Sequence, residues 1–216
     1  SIYADIDKDL SSPIIPGKTG RHPLPDEKGL VEQFSAWGID DTITVVIYDD
    51  HSGGFAARLW WLLRWLGHEK ALILDGGWSS WKSGDYPVES DQPVINPRVF
   101  SPEKRPQYVV DADEVEIIRQ DRDFLLIDSR GTDRFWGIDE NIDSVAGHIP
   151  GAVSAPYAVN LDDEGFLLAQ EKLNERFENI LVGVPPDQVI FYCGSVVTAC
   201  HNIAVMIAVG YQMPKL

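Results

Sequence analysis

Short apolar runs set the pattern of this chain, each ending at a turn and followed by a stretch that reads as a helix. The clearest is Val189-Ile190-Phe191-Tyr192, which ends at Cys193; Gly194, Ser195, Val196, Val197 and Thr198 follow, and residues 199–209 read as a helix rich in Ala, Ile and Val. A continuous apolar run before a turn is how a strand buried on both faces of a parallel sheet looks. Cys193 is therefore expected at the carboxyl end of a central strand, just before a helix N-terminus, where open α/β sheets bind ligands. Residues 42–48 form a second β-rich run, followed by a turn through Asp49, Asp50, His51, Ser52, Gly53 and Gly54 and a helix over 55–66 stopped by Gly67. Residues 26–38 read as a helix ended by Gly38, 71–74 as a short buried strand, and 75–81 as a turn and short helix. Farther on, 111–120 read as a capped helix, 124–127 as a buried strand, 137–145 as a polar loop, 147–152 as a tight turn and 171–181 as an amphipathic helix.

The chain repeats itself. Val46-Ile47-Tyr48-Asp49, a Gly/Ser turn and a helix ending in Leu66-Gly67 mirror Ile190-Phe191-Tyr192-Cys193, a turn and a helix ending in Val209-Gly210. Asp49 stands where Cys193 stands, so the first copy has no nucleophile. Two α/β domains are expected, a non-catalytic one over 1–87 and a catalytic one over 108–216. The linker is placed at 88–107, within a segment, 82–107, that carries five prolines. In the second copy, strand and turn material runs up to Ser154 before the part that resembles the chain's start, whereas nothing equivalent precedes Ser1. The first copy continues past Gly67 to a strand and Trp81, while the second stops soon after Gly210. The expectation is a chain truncated at both ends, or else a shortened variant, since a sheet missing strands leaves exposed edges.

Charge narrows the range of partners. A net charge of −16 and a pI near 4.5 argue against nucleic acid or an anionic membrane, either of which would want a basic face. No apolar run reaches the length of a membrane span, and no signal peptide is visible, though the start looks cut. Two cysteines seven positions apart make neither a disulfide framework nor a zinc site, and a reducing, cytoplasmic compartment suits a working thiolate.

A helix N-terminus offers unpaired N–H groups and a positive dipole end, so a thiol at Cys193 would lose its proton more readily and act as a nucleophile. A loop curled around the sulfur would aim several N–H groups at it. Cys200, inside the helix, reads as a packing residue. Arg130 and Arg134 follow the strand over 124–127 at the same sheet edge; guanidinium forks match carboxylates and thiosulfate, although solvated arginines paired with Asp128 or Asp133 are the plainer alternative. His148 and His201 read as structural. The Arg58, Trp60, Trp61, Arg64 and Trp65 cluster reads as packing.

Tyr192-Cys193-Gly194-Ser195, with Val197-Thr198-Ala199, resembles the active-site loop of the two-domain rhodanese family. It is nearest the mercaptopyruvate sulfurtransferase branch, whose loop reads Cys-Gly-Ser-Gly-Val-Thr. Gly147-His148-Ile149-Pro150-Gly151-Ala152, Asp75-Gly76-Gly77-Trp78 and the Asp128-Ser129-Arg130 and Arg134-Phe135 pieces are similar to family motifs as well, so the resemblance covers residues 3–210. It implies two rhodanese-like domains, each an open parallel sheet flanked by helices. It further implies sulfur transfer through a persulfide on Cys193, with the loop at Gly194, Val196, Val197 and Thr198 holding the charge and Arg130 and Arg134 holding a small anionic donor. Ser195 would relay a proton with His22, in Arg21-His22-Pro23, and Asp7, in Tyr3-Ala4-Asp5-Ile6-Asp7. The acceptor would be a thiol or cyanide, the protein a monomer, and no metal or organic cofactor would be required. Gly194 and Ser195 directly after the cysteine favour 3-mercaptopyruvate over thiosulfate, whose users carry basic residues there; thiosulfate:cyanide transfer is the alternative. Val196 departs from the family glycine, and a β-branched residue at positive φ is an outlier, which leaves an impaired binding module as a further alternative. A phosphatase of the Cys-x5-Arg type is disfavoured, because the arginine position is Ala199.

Overall fold

The computed structural model describes residues 1–50 and 52–216; His51, in the expected turn after the second apolar run, lies outside the described residues. The chain divides into two compact units, Ser1–Arg105 and Pro106–Leu216.

The second unit is built on strands β3 (Leu125–Asp128), β4 (Val153–Ser154) and β5 (Val189–Tyr192), all parallel, in the order β4-β3-β5. β5 is not left as an open edge. Ile190 bridges Lys215 in parallel, the Phe191 N–H reaches the Lys215 carbonyl at 2.9 Å, and the Lys215 N–H reaches the Val189 carbonyl at 2.9 Å. The run ending at Cys193 therefore has neighbours on both sides. Val189, Ile190 and Phe191 are each at most 1% exposed, which is why the sequence shows apolar residues without alternation. Helix α7 (Thr198–Ala208) packs back on β5 and buries Ala199, Cys200, Ile203 and Met206 completely.

The other helices follow local chemistry. α4 (Ala112–Ile118) starts with a full capping box, the Asp111 side chain accepting from the Glu114 N–H and the Glu114 side chain accepting from the Asp111 N–H. α6 (Gln170–Leu181) buries Leu173, Phe177 and Leu181, one face at a spacing of four. The short α5 (Thr132–Phe135), right after β3, was not anticipated: four residues carry too little periodicity to be read.

In the first unit, β1 (Val45–Ile47) and β2 (Ala71–Ile73) form a parallel pair, accompanied by α1 (Glu27–Ala36), α2 (Gly54–Trp65) and α3 (Gly77–Ser83). The strand expected over 42–48 is shortened because the Asp40 carboxylate captures the N–H and hydroxyl of Thr42 in a turn; the ladder begins only where the Val45 N–H meets the Lys70 carbonyl. α2 is buried nearly all round, and Arg58, 0% exposed, donates to the carbonyls of Leu10, His22 and Pro23 at 2.9, 3.2 and 3.1 Å. The crowd of Trp and Arg on this helix is thus packing, with Arg58 also clamping the loop beneath it.

The internal repeat runs further than the sequence indicated. Val46 pairs with Leu72 after α2, and Ile190 pairs with Lys215 after α7, both in parallel. The second copy therefore keeps a single bridged residue where the first has β2, with no further strand or helix after α7 among the described residues.

Val182 ends α6 at φ 48 and ψ 36, with 81% of its surface exposed. A left-handed conformation costs an L-residue about 1–2 kcal/mol, and glycine would recover part of this against its own entropy. Val182→Gly is expected to raise the urea midpoint of unfolding, by about 0.5–1 kcal/mol in stability. A lower midpoint would show that the valine side chain contributes more than its backbone costs.

Candidate active site

β5 delivers Cys193, and α7 begins five residues later with no side-chain cap, so the N–H groups of its first turn have no internal partner. Between them the loop curls. The Ser195 N–H points at the Cys193 sulfur at 3.5 Å, and the thiol is half-buried. Val196 holds the shape that a glycine would hold, at φ 58, a strain on the order of 1–2 kcal/mol. The Cys200 thiol donates to the Val196 carbonyl at 3.0 Å and fastens this strained turn from the helix side. Among the described residues the Ser195 N–H alone bonds the sulfur; Gly194, Val196, Val197 and Thr198 complete the turn without doing so.

The first copy shows what such a turn binds. There Asp49 replaces the cysteine, and its carboxylate accepts from the Gly53 N–H at 2.9 Å and the Ala56 N–H at 2.7 Å at the start of α2. An anion held by helix-start amides is the arrangement expected for the second copy's sulfur, with a fixed carboxylate in place of a reactive thiolate.

Cys193 and Gly194 open on a cavity of about 270 Å³ that Arg130, His148 and Tyr192 also line. Arg130 is 8% exposed and heavily engaged. It donates to both Asp128 carboxylate oxygens, to the Gly147 carbonyl at 2.6 Å and to Glu140 at 3.3 Å. These bonds use Nε, Nη2 and one hydrogen of Nη1, which leaves one N–H of the group outside them. Arg134 does not line it: its guanidinium is taken by Glu140 at 2.9 Å and Asp143 at 2.5 Å. Of the plainer alternative, arginines paired with Asp128 or Asp133, the Arg130–Asp128 pair forms, while Arg134 takes these loop carboxylates. Glu140 is the joint of the cluster, its Oε2 shared by both arginines and its Oε1 accepting from the N–H groups of Ile142 and Asp143 at 3.0 and 2.8 Å. Arg134 and those amides bring its carboxyl from 4.5 down to about 2, against a smaller opposing effect of burial. Asp128, in turn, raises the pKa of Arg130.

The histidines divide. His148 stacks on Phe135 at 3.7 Å and bonds the Phe135 carbonyl through Nδ1 at 2.8 Å, which fixes the ring as a wall of the cavity. The Tyr192 hydroxyl accepts from the Ile149 N–H at 3.1 Å, and burial pushes its phenol up, so it stays neutral. His201 is buried beside Asn160 and Tyr157. In the first unit His22 Nε2 lies 3.2 Å from Asp7 Oδ1, with Asp7 largely exposed. The two residues read from separate motifs do meet, and Arg58 holds the His22 backbone; Ser195 belongs to the second unit. Sequence reasoning missed this use of Arg58, because a buried arginine among tryptophans gives no local sign of what it binds.

The first unit also has a larger cavity, about 510 Å³, lined mainly by apolar groups such as Tyr3, Phe55, Leu59 and Trp78 and opening on Asp49. Size does not make it the reacting site: among the described residues its lining holds neither a thiol nor a cationic side chain. Among the described residues no cluster of three or more His, Cys, Asp and Glu could hold a metal ion.

Because the folded Glu140 carboxyl sits at about 2 and its unperturbed value is 4.5, its contribution to stability is complete above the higher value and fades as pH falls toward the lower. Urea unfolding of the wild type and Glu140→Gln should differ fully near about pH 6 and by much less near about pH 3. A gap of equal size at both would mean that the ion cluster does not carry the difference.

A rhodanese-like domain is matched at residues 11–84 and again at 111–215. The chain is 41% identical, over 99% of its length and 76% of the relative's, to a Pseudomonas aeruginosa protein named a "probable 3-mercaptopyruvate sulfurtransferase". It is 33% identical to the human 3-mercaptopyruvate sulfurtransferase, over 83% of this chain and 62% of that one. The solved 3-mercaptopyruvate sulfurtransferase of Leishmania major superposes with a TM-score of 0.86 at 32% identity, covering all of this chain and 60% of that one. SseA from Escherichia coli, solved as a 3-mercaptopyruvate sulfotransferase with the rhodanese fold, gives 0.83 at 29% identity over all of this chain and 79% of its own. Two matched domains, relatives across bacteria and eukaryotes, and parallel sheets that present a cysteine and an aspartate at equivalent turns lead to one conclusion: the chain belongs to the rhodanese-like family, with one such domain in each unit.

Proposed function

We propose that this chain is a sulfurtransferase that moves sulfane sulfur from 3-mercaptopyruvate, through a persulfide on Cys193, to a thiol or cyanide. The observation that carries the reading is the half-buried Cys193 sulfur, met by the Ser195 N–H and sharing a cavity with Arg130. The names of the Pseudomonas and human relatives support the same donor.

In the first step the thiolate attacks the donor's sulfur. An S–S bond forms, the donor's C–S bond breaks with its electron pair, and pyruvate leaves as an enolate that takes up a proton. The negative persulfide remains in the amide-lined turn. In the second step the acceptor attacks the outer sulfur: cyanide leaves as thiocyanate, or a thiolate as a new persulfide, and Cys193 is released as thiolate. Arg130, through its spare N–H, holds the donor carboxylate. Arg134 acts through the carboxylates it shares, keeping Glu140 and the loop over residues 137–147 in register. On this reading the enolate's proton falls to Ser195 with His22 and Asp7; the 3.2 Å contact of His22 with Asp7 supports the pairing of those two alone. One available cation suits a monoanionic carboxylate better than the thiosulfate dianion. A monomer in a reducing compartment, the cytoplasm, fits the lone working thiol.

Intact-mass measurement after donor addition should show a gain of one sulfur atom, about 32 Da, lost in Cys193→Ser. No gain in the parent chain would leave a binding module and end the enzyme reading. On one preparation, 3-mercaptopyruvate should outperform thiosulfate. His22→Ala should lower mercaptopyruvate turnover about 100-fold while sparing thiosulfate turnover, because sulfite leaves without needing a proton. Equal losses with both donors would remove the relay from the mechanism.

A further inference from the structure

We infer that Asn202 is a positioning residue: its buried carboxamide locks the start of α7, and with it the Cys193 turn, to the strand end that carries Arg130. The inference rests on the reading of Cys193 as the reacting group. Asn202, Asn160 and Ser129 are all 0% exposed. Asn202 Nδ2 donates to Ser129 Oγ at 2.9 Å and to the Ala155 carbonyl at 2.9 Å, and its Oδ1 accepts from Asn160 Nδ2 at 2.7 Å. Both hydrogens of the amide are used, and each is aimed at the end of a different strand.

The placement gives this network its meaning. Asn202 lies one turn into α7, whose first turn faces the sulfur loop. Ser129 directly precedes Arg130, and its own N–H meets the Tyr192 carbonyl at 2.9 Å, next to Cys193. Ala155 directly follows β4. The carboxamide therefore closes a ring of bonds through β3, β4, the 3-10 turn Tyr157–Asn160 and α7. Beside it the Cys200 thiol bonds the Val196 carbonyl within the turn itself and buried His201 meets Asn160 at 3.4 Å, while Ala199, Ile203, Ala204, Val205 and Met206 bury α7 by apolar contact. Apolar packing resists separation but is not directional, so it fixes the rotation of a helix about its axis poorly. Directed bonds from a fully satisfied buried amide fix it well. No reacting atom touches Asn202; it acts by setting the distance and angle between the thiol and the guanidinium.

The test compares two alkylating agents of nearly equal shape on the full chain. Iodoacetate carries a carboxylate, as the donor does, and iodoacetamide is neutral; the ratio of their rates at Cys193, located by peptide mass, reads how well a cation faces the thiol. Asn202→Leu should lower that ratio at least about threefold, on the scale of local electrostatic attraction in a charge-lined cleft, and raise the KM for 3-mercaptopyruvate. Ser129→Ala removes a single bond and should shift both readings the same way by less; it carries the test if Asn202→Leu does not fold. A ratio and KM unchanged in the folded variants, with only the melting temperature lowered, would reduce Asn202 to a stability residue and overturn the proposal. A parent chain that alkylates at Cys193 but forms no persulfide would defeat the functional reading instead, and the ratio would still decide the role of Asn202.

Discussion

Backbone amides left unpaired at the start of a buried helix need an anion, and both halves of this chain are shaped by that need. In the first half the demand is met by the Asp49 carboxylate, bonded to the N–H groups of Gly53, just before α2, and Ala56, in its first turn. In the second half the same turn holds a thiol, and the start of α7 has no side-chain cap. One kind of turn thus holds a fixed carboxylate in one place and a thiol in the other, a side chain that brings its charge against one that gains it only by losing a proton.

The acidic composition acquires a local meaning beside this turn. Asp128, Glu140 and Asp143 neutralise most of Arg130 and Arg134, and the Glu140 carboxyl stays ionised far into acid. Burying two guanidinium groups without partners would be costly, so the carboxylates keep them in place. The consequence is that most of the Arg130 guanidinium is already engaged, by Asp128, Gly147 and Glu140.

Val196 shows how such a turn survives an unfavourable residue. Its left-handed backbone is strained, yet the Cys200 thiol bonds its carbonyl and Val197 beside it is buried. Neighbouring structure over-determines the conformation, which is the condition under which strain of this kind persists near reacting groups. Cys200 reads from sequence as a small packing residue, and its contact with Val196 gives it a second task.

The parallel strands, the helices that follow them, the repeat and the coincidence of Cys193 with a strand end were legible because each depends on local pattern: apolar runs buried on both faces, capping residues, and glycines at helix ends. The Asp7 and His22 candidates were legible only as motif residues, and their contact needed coordinates. The sequence by itself could not separate Arg130 from Arg134, since both guanidinium groups lie near one strand end and differ only in which carboxylates a later loop brings to them. Nor could it show that Lys215 covers the edge of β5 or that Asn202 ties α7 to Ser129, because those partners are distant along the chain and polar groups find each other through packing rather than periodicity. Local order was written in the order of the residues; which charges are already paired was decided only when the chain closed on itself.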